Sequence, residues 1–394
     1  MELDESGTVV LSMQFSDAEA EALQKARELL RHSGSLFCDS IFDHEIGQDP
    51  VVDRCLDPIR AFGDSQLNEA GIVVAFDTNY LIRMSEILTK EPGTNLVEDE
   101  RRVLATIALS GFCNASLTPG FALAEMYSEN RNRASYLHDG FKAFDYLCVQ
   151  SSLEDIFEGV VSGKVPNWNL NIPTHAETPL DTIRTIAENR KSKIELYACL
   201  CAAIIERVNG VHLDENAKLE AFIARIFKTG AFAVGSLRYF ALYFSEEPAK
   251  RGIPRKSMLK SVHSPSHEKA AAGVRNAARD CYLASEYSSS LNSFHERTSS
   301  TVYATEDRAL QHLLKRDWQE RDTEGQSFSS SLRNLRGGNL PKSVESIIDK
   351  TVSSIPIELI KATNQQPLRS SAHKFMENPD QAITLAWKEF NDLF

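Results

Sequence analysis

Apolar and polar positions alternate along the chain in two rhythms. Residues 71–76 are a nearly continuous apolar run, the pattern of a strand buried on both faces of a parallel sheet. Residues 79–90 follow with apolar positions at helical spacing until Pro92-Gly93 breaks the pattern. Residues 97–110 predict a further helix and 113–117 a short strand, after which Thr118-Pro119 supplies an N-cap and a first-turn proline for a helix that carries Glu125. Upstream, residues 8–15 read as a β-branched strand, and Ser16 with Glu19 forms a capping box for a helix reaching about Arg31, stopped by Gly34. Residues 35–70 mix Asp, Pro and Gly with isolated apolar pairs and read as a connector with short helices.

The middle of the chain is helical in pattern, with helices expected over 136–147, 153–161, 178–208, 216–228 and 231–244. No period repeats, so the pattern does not support a solenoid. Residues 250–269 are rich in Pro, Ser and Lys and predict a loop. A helix over about 265–285 carries Asp280, a short strand covers 301–305, and a helix covers 306–315. Residues 325–339, rich in Ser, Gly and Arg, read as a linker, and C-terminal helices follow, including 380–394. The fold class is α/β, in five segments: a βα extension and connector (1–70), a first core half (71–150), a helical insertion (151–264), a second core half (265–325), and a linker with C-terminal helices (326–394).

Composition adds constraints. At 394 residues and 42% hydrophobic, the chain can bury a large core, as one elaborated domain or two to three. Its net charge of −12 repels a polyanion, so a nucleic-acid partner needs local basic patches. The densest is Lys250, Arg251, Arg255, Lys256 and Lys260, followed by Arg275 and Arg279; these are candidate RNA phosphate contacts, or a solvated loop balancing Glu246 and Glu247. The seven cysteines form no CxxC pair and sit mostly in apolar runs, as reduced core thiols of a cytoplasmic protein do. Cys199 and Cys201 point in different directions on a helix, so no zinc is assigned. The acidic start at 1–5 lacks the features of a signal peptide, and the apolar runs at 196–205 and 231–244 are too short to span a membrane or are interrupted by Arg238. A soluble protein with no membrane partner is expected.

The candidate chemistry begins at Asp77, at the end of a strand where a helix starts, which is where open α/β sheets bind ligands. Glu125, Asp280 and Asp307 recur in comparable settings. Four converging acids suit Mg²⁺ or Mn²⁺, hard ions that prefer carboxylate oxygens and acidify a bound water. Any one of these acids taken alone is better read as a cap or a solvated surface charge.

The order of these acids resembles the PIN domain family of metal-dependent ribonucleases, through Asp-Thr-Asn at 77–79, the helix-borne Glu125, Asn-Ala-Ala-Arg-Asp at 276–280, and Thr-x-Asp at 305–307 followed by Leu310. The resemblance covers about 71–150 and 265–320. It implies a PIN-like three-layer α/β/α sandwich with a central parallel sheet, here with a large helical insertion between Glu125 and Asp280 and a helical C-terminal extension. It also implies an endoribonuclease in which Asp77, Glu125, Asp280 and Asp307 hold one or two Mg²⁺ or Mn²⁺ ions, Asn79 and Thr305 orient them, and no Ser or Cys acts as nucleophile. A stress, toxin or defence role fits the family. Glu129, one turn after Glu125 on the same face, is a candidate additional ligand but is better read as a solvated helix glutamate, and Glu268 and Glu286 are helix acids near Asp280 that a shift of register would substitute for it. The alternative is a PIN-like module without catalysis, a binding or regulatory scaffold acting through its helical insertion; in either case the insertion or the C-terminal helices are candidate surfaces for a protein partner or a second copy. A haloacid-dehalogenase type of phosphatase needs an acid where Asn79 stands.

Overall fold

The structure, a computed structural model, describes residues 2–3, 9–10, 16–31, 36–38, 71–112, 115–129, 134–168, 179–187, 189–209, 212–229, 231, 233–250, 253, 255–292, 299–321, 328–353 and 378–394. Most of the expected connector, together with Arg251, Cys55 and Cys113, lies outside the described residues. The chain is mostly helical with a small sheet. It divides into two compact units, one of Met1–Ala187 with Ser293–Asp307, the other of Glu188–Asn292 with Arg308–Phe394.

The first unit opens with an antiparallel ribbon of β1 (Glu2–Leu3) and β2 (Val9–Val10). Helix α1 (Asp17–Arg31) starts at the expected capping box: the Ser16 amide donates to Glu19 Oε2 at 2.8 Å, and the Glu19 amide donates back to Ser16 Oγ at 3.3 Å. Then come β3 (Leu36–Cys38), β4 (Gly71–Phe76), α2 (Thr78–Thr89), α3 (Glu98–Phe112), β5 (Ser116–Thr118) and α4 (Gly120–Glu129). Helix α5 (Ala134–Asp145) runs into a π-helical turn at Tyr146–Gln150, and α6 (Leu153–Ser162) and α7 (Leu180–Ala187) close this part of the chain. Much later, β6 (Ser299–Ala304) rejoins the same sheet.

That sheet has four strands in the order β3-β6-β4-β5, with β6, β4 and β5 mutually parallel and β3 antiparallel at the edge. The apolar β4 holds the centre, with Val74, Ala75 and Phe76 buried. Helix α1 packs on α3 and α6, α2 on α3, α4 and α5, and α4 on α7.

The second unit is built around α8 (Arg190–Asn209), which packs against α9 (Glu215–Thr229), α10 (Val234–Tyr243), α13 (His267–Asn292) and the C-terminal α17 (Pro379–Asn391). Helices α11 (Glu247–Lys250), α12 (Arg255–Met258), α14 (Arg308–Arg321), α15 (Phe328–Leu335) and α16 (Lys342–Ser353) complete it. Its core gathers Phe222, Phe240 and Phe244 with Cys199, Cys201 and Cys281, and these thiols and Cys148 are free. The aromatic run at 239–244 is core.

Three local expectations are revised. The single helix expected over 178–208 is two, because the Asn189 side chain accepts the Ser192 amide at 2.8 Å and starts α8 afresh. The linker expected over 325–339 contains α15, whose Leu332 and Leu335 are buried; it ends where Gly337 and Gly338 take φ values of 66° and 93°, open to glycine at little cost. The loop expected over 250–269 contains the short α12.

At the centre of the second unit, Glu195 is buried between helices and accepts from Ser285 Oγ at 2.5 Å and from the Ser236 amide at 2.8 Å. Beside it, α10 and α13 touch backbone to backbone: a Cβ on Gly235 would fall 1.9 Å from the Cys281 carbonyl oxygen. Gly140, by contrast, would meet the mobile end of Met126, at 2.7 Å from its methyl. Alanine is the better helix former by about 1 kcal/mol, so sterics decide the sign at each site. Gly235→Ala is expected to destabilise the protein by about 3 kcal/mol or more and Gly140→Ala by far less, as read by urea unfolding. Equal effects would contradict the close helix contact.

Candidate active site

The parallel register sets the site. Phe76 of β4 lies opposite Ala304 of β6, and Ala75 lies opposite Thr118 of β5, so three strands end side by side. The chain leaving β4 is therefore Asp77, the chain leaving β6 is Thr305-Glu306-Asp307, and the chain leaving β5 enters α4, which carries Glu125. The Asp77 amide donates to the Ala304 carbonyl at 3.1 Å, extending the β4–β6 ladder by one bond.

Asp77 is the N-cap of α2. Its backbone is extended (φ −84°, ψ 172°), and its Oδ1 accepts the Tyr80 amide at 3.2 Å. Its Oδ2 accepts the Glu306 amide at 3.4 Å and stands 3.5 Å from Asn79 Nδ2. The buried Thr305 donates its hydroxyl proton to Asp77 and accepts the Asp307 amide on the same oxygen at 3.1 Å. Asn79 and Thr305 are thus both hydrogen-bond partners of Asp77.

Glu125 reaches the same place from α4. Its Oε2 accepts the Thr78 hydroxyl at 2.5 Å, and its charge acts on Asp77. Asp77 keeps some exposure, but the protein packed around it makes desolvation the dominant influence: burial first, then the charges of Glu125 and Glu306, push its carboxyl up to about 7. The hydrogen bonds from Thr305 and Tyr80 oppose this and lose. Glu306 is itself pushed up by burial and by Asp99, against the pull of Arg83 and Arg102, and its Oε1 is buried with no hydrogen-bond partner among the described residues.

The structure brings together Asp77, Glu125, Asn79, Thr305 and the backbone of Asp307. Asp280 lies on α13 in the second unit, where its Oδ2 is 3.5 Å from the Tyr239 hydroxyl. The expected RNA contacts belong to that unit too. Lys250 pairs with Glu246 and Glu247 at 3.4 Å, Arg255 with Glu215 at 2.7 Å, and Arg275 lies over the Trp387 ring at 5.2 Å, while Lys260 is exposed. Arg279 sits on α13 near Asp280, and the Lys256 side chain lies outside the described residues.

Two residues were not foreseen. Thr78 stands inside the Asp-Thr-Asn sequence, where attention goes to the flanking acid and amide; the signal was its place on the inward face of α2 beside Leu81. Glu306, the middle residue of Thr-x-Asp, is a second acid beside Asp77.

The donors suit a hard divalent ion in kind: carboxylates within electrostatic reach of Asp77, and an orphaned buried carboxylate oxygen on Glu306. Among the described residues, no group of three or more His, Cys, Asp or Glu side chains is arranged to hold a metal. Nor, among them, is any helix long and apolar enough to cross a membrane. The chain matches no protein-family model, no curated protein and no solved structure.

A carboxyl raised in the folded state gives the site a pH signature. Near pH 4 and below, Asp77 is protonated whether or not the chain is folded; as pH rises to about 7 only the unfolded chain readily ionises there, so the Asp77 contribution to stability falls across this window. Asp77→Asn keeps an N-cap and removes the titration. The variant is expected to lose this part of the pH slope in urea unfolding between pH 4 and 7, and to gain stability relative to wild type as pH rises. A parallel slope in both proteins would contradict the placement of Asp77.

Proposed function

We propose that the first unit is a PIN-like metal-dependent endoribonuclease core, its sheet and flanking helices being the family's α/β/α arrangement and the second unit the helical insertion and C-terminal extension. One observation carries this reading: Asp77, at the C-terminal end of β4, and Glu125, which accepts from the adjoining Thr78, lie near enough for the Glu125 charge to push the Asp77 carboxyl up. Like charges so placed are unfavourable, and either a proton on one carboxyl or a bound cation relieves them. In this reading Asp77, Glu125 and Asp307 hold Mg²⁺ or Mn²⁺, and the role of Asp280 rests on the resemblance alone.

An ion bound there would acidify a water and offset charge on a phosphodiester oxygen. The protein's own residues do the rest. Thr305 and the Glu306 amide hold Asp77 in one orientation, and Asn79, exposed at the rim, is within reach of both Asp77 and an incoming backbone. The substrate is RNA, met in the cytoplasm, where the free thiols stay reduced.

The test is Mn²⁺-dependent cleavage of total RNA by the full chain. Asp77→Asn and Asp307→Asn are each expected to abolish it while leaving the melting temperature at or above that of wild type, and removal of the ion by EDTA should do the same reversibly. Full activity in both variants would overturn the assignment. If wild type neither cleaves RNA nor gains stability from Mn²⁺, the scaffold reading replaces it.

A further inference from the structure

Thr78 is the residue of Asp-Thr-Asn whose side chain turns inward: it is 9% exposed, between the part-exposed Asp77 and the exposed Asn79. Its hydroxyl crosses to another helix, standing 2.5 Å from Glu125 Oε2 and 3.3 Å from the Ala122 carbonyl oxygen. A threonine hydroxyl has one proton to give, and an ionised carboxylate can only accept. The shorter contact takes it, so Thr78 donates to Glu125.

This bond opposes a specific force. Glu125 has three rotatable side-chain bonds, and its charge is repelled by Asp77, so an unrestrained Glu125 would swing to a rotamer farther away. Thr78 follows Asp77 directly and begins α2, so the strand end that delivers Asp77 also delivers the hydroxyl that holds its partner. We propose that Thr78 is a positioning residue for the metal site, keeping the Glu125 carboxylate facing Asp77 against their mutual repulsion. The inference deepens the metal reading above and rests on it.

Calorimetric titration of the full chain with Mn²⁺ alone, beside metal-free thermal melting, tests it with four proteins: wild type, Thr78→Val, Thr78→Ser and Asp77→Asn. Thr78→Val keeps the shape and deletes the hydroxyl; it is expected to weaken Mn²⁺ binding by roughly ten- to a hundredfold, the usual range for partners that orient ligands. Thr78→Ser restores the hydroxyl and should restore wild-type affinity, a rescue that a packing role would not produce. Thr78→Ala gives the same comparison should valine not be accommodated. Wild-type affinity in Thr78→Val, or no recovery in Thr78→Ser, overturns the inference. Loss of binding in Asp77→Asn with retention in Thr78→Val overturns it alone, whereas retention in Asp77→Asn overturns the metal reading as well.

Discussion

The parallel pairing of Gly71–Phe76 with Ser299–Ala304 is the interaction on which the candidate site depends. Parallel strands end together at one edge of a sheet, and here the register sets Phe76 against Ala304, so the next residue of each strand lies at the same level. That level holds Asp77 on one chain segment and Thr305 on the other, joined by the bond from the Asp77 amide to Ala304 and by the Thr305 hydroxyl. A slip of one residue would turn Asp77 toward the other face of the sheet and part it from both partners. One segment of the helical second unit, Glu188–Asn292, lies in sequence between these strands, so a pairing that is local in space closes a very long loop in the chain.

Given this pairing, the electrostatics follow. A helix N-terminus ordinarily favours a negative cap, and Asp77 has that advantage together with several hydrogen-bond donors. Burial and two neighbouring acids outweigh it, and the carboxyl rises to about 7. Acids within electrostatic reach of one another carry a cost that a proton or a bound cation relieves, and carboxyls perturbed in this way mark candidate functional sites. The second unit holds a carboxyl raised to about 7 of a different kind: Glu195 is closed in among Ser236, Ser285 and the helix backbones, with both its oxygens bonded. It reads as a tie between helices.

Much of the local fold was legible because the residues that set it act over short distances. The capping box at Ser16 and Glu19, the buried strand at 71–76, and the helix after Thr118-Pro119 all appear where capping and apolar pattern place them. The break at Asn189 was missed because an N-cap inside a continuous helical pattern looks like one more polar surface position. Helix α15 was missed because its serines and the following glycines mask two leucines that pack only in the assembled unit. At the site, Asp77, Glu125 and Thr305 were legible from their settings at strand and helix ends. Thr78 and Glu306 were not, since what distinguishes them is a contact made across distant sequence. The division that puts Asp280 on the second unit depends on how helices sort into cores, which no short motif records.

The central claim is that the strand ends carrying Asp77 and Thr305, with Glu125 beside them, form a binding site for a divalent ion. Crystals of the full chain grown with Mn²⁺ and measured near the manganese absorption edge test it most directly. The account predicts an anomalous peak within coordination distance of carboxylate oxygens of both Asp77 and Glu125. A well-ordered site with no peak there, or manganese bound only elsewhere, would contradict it.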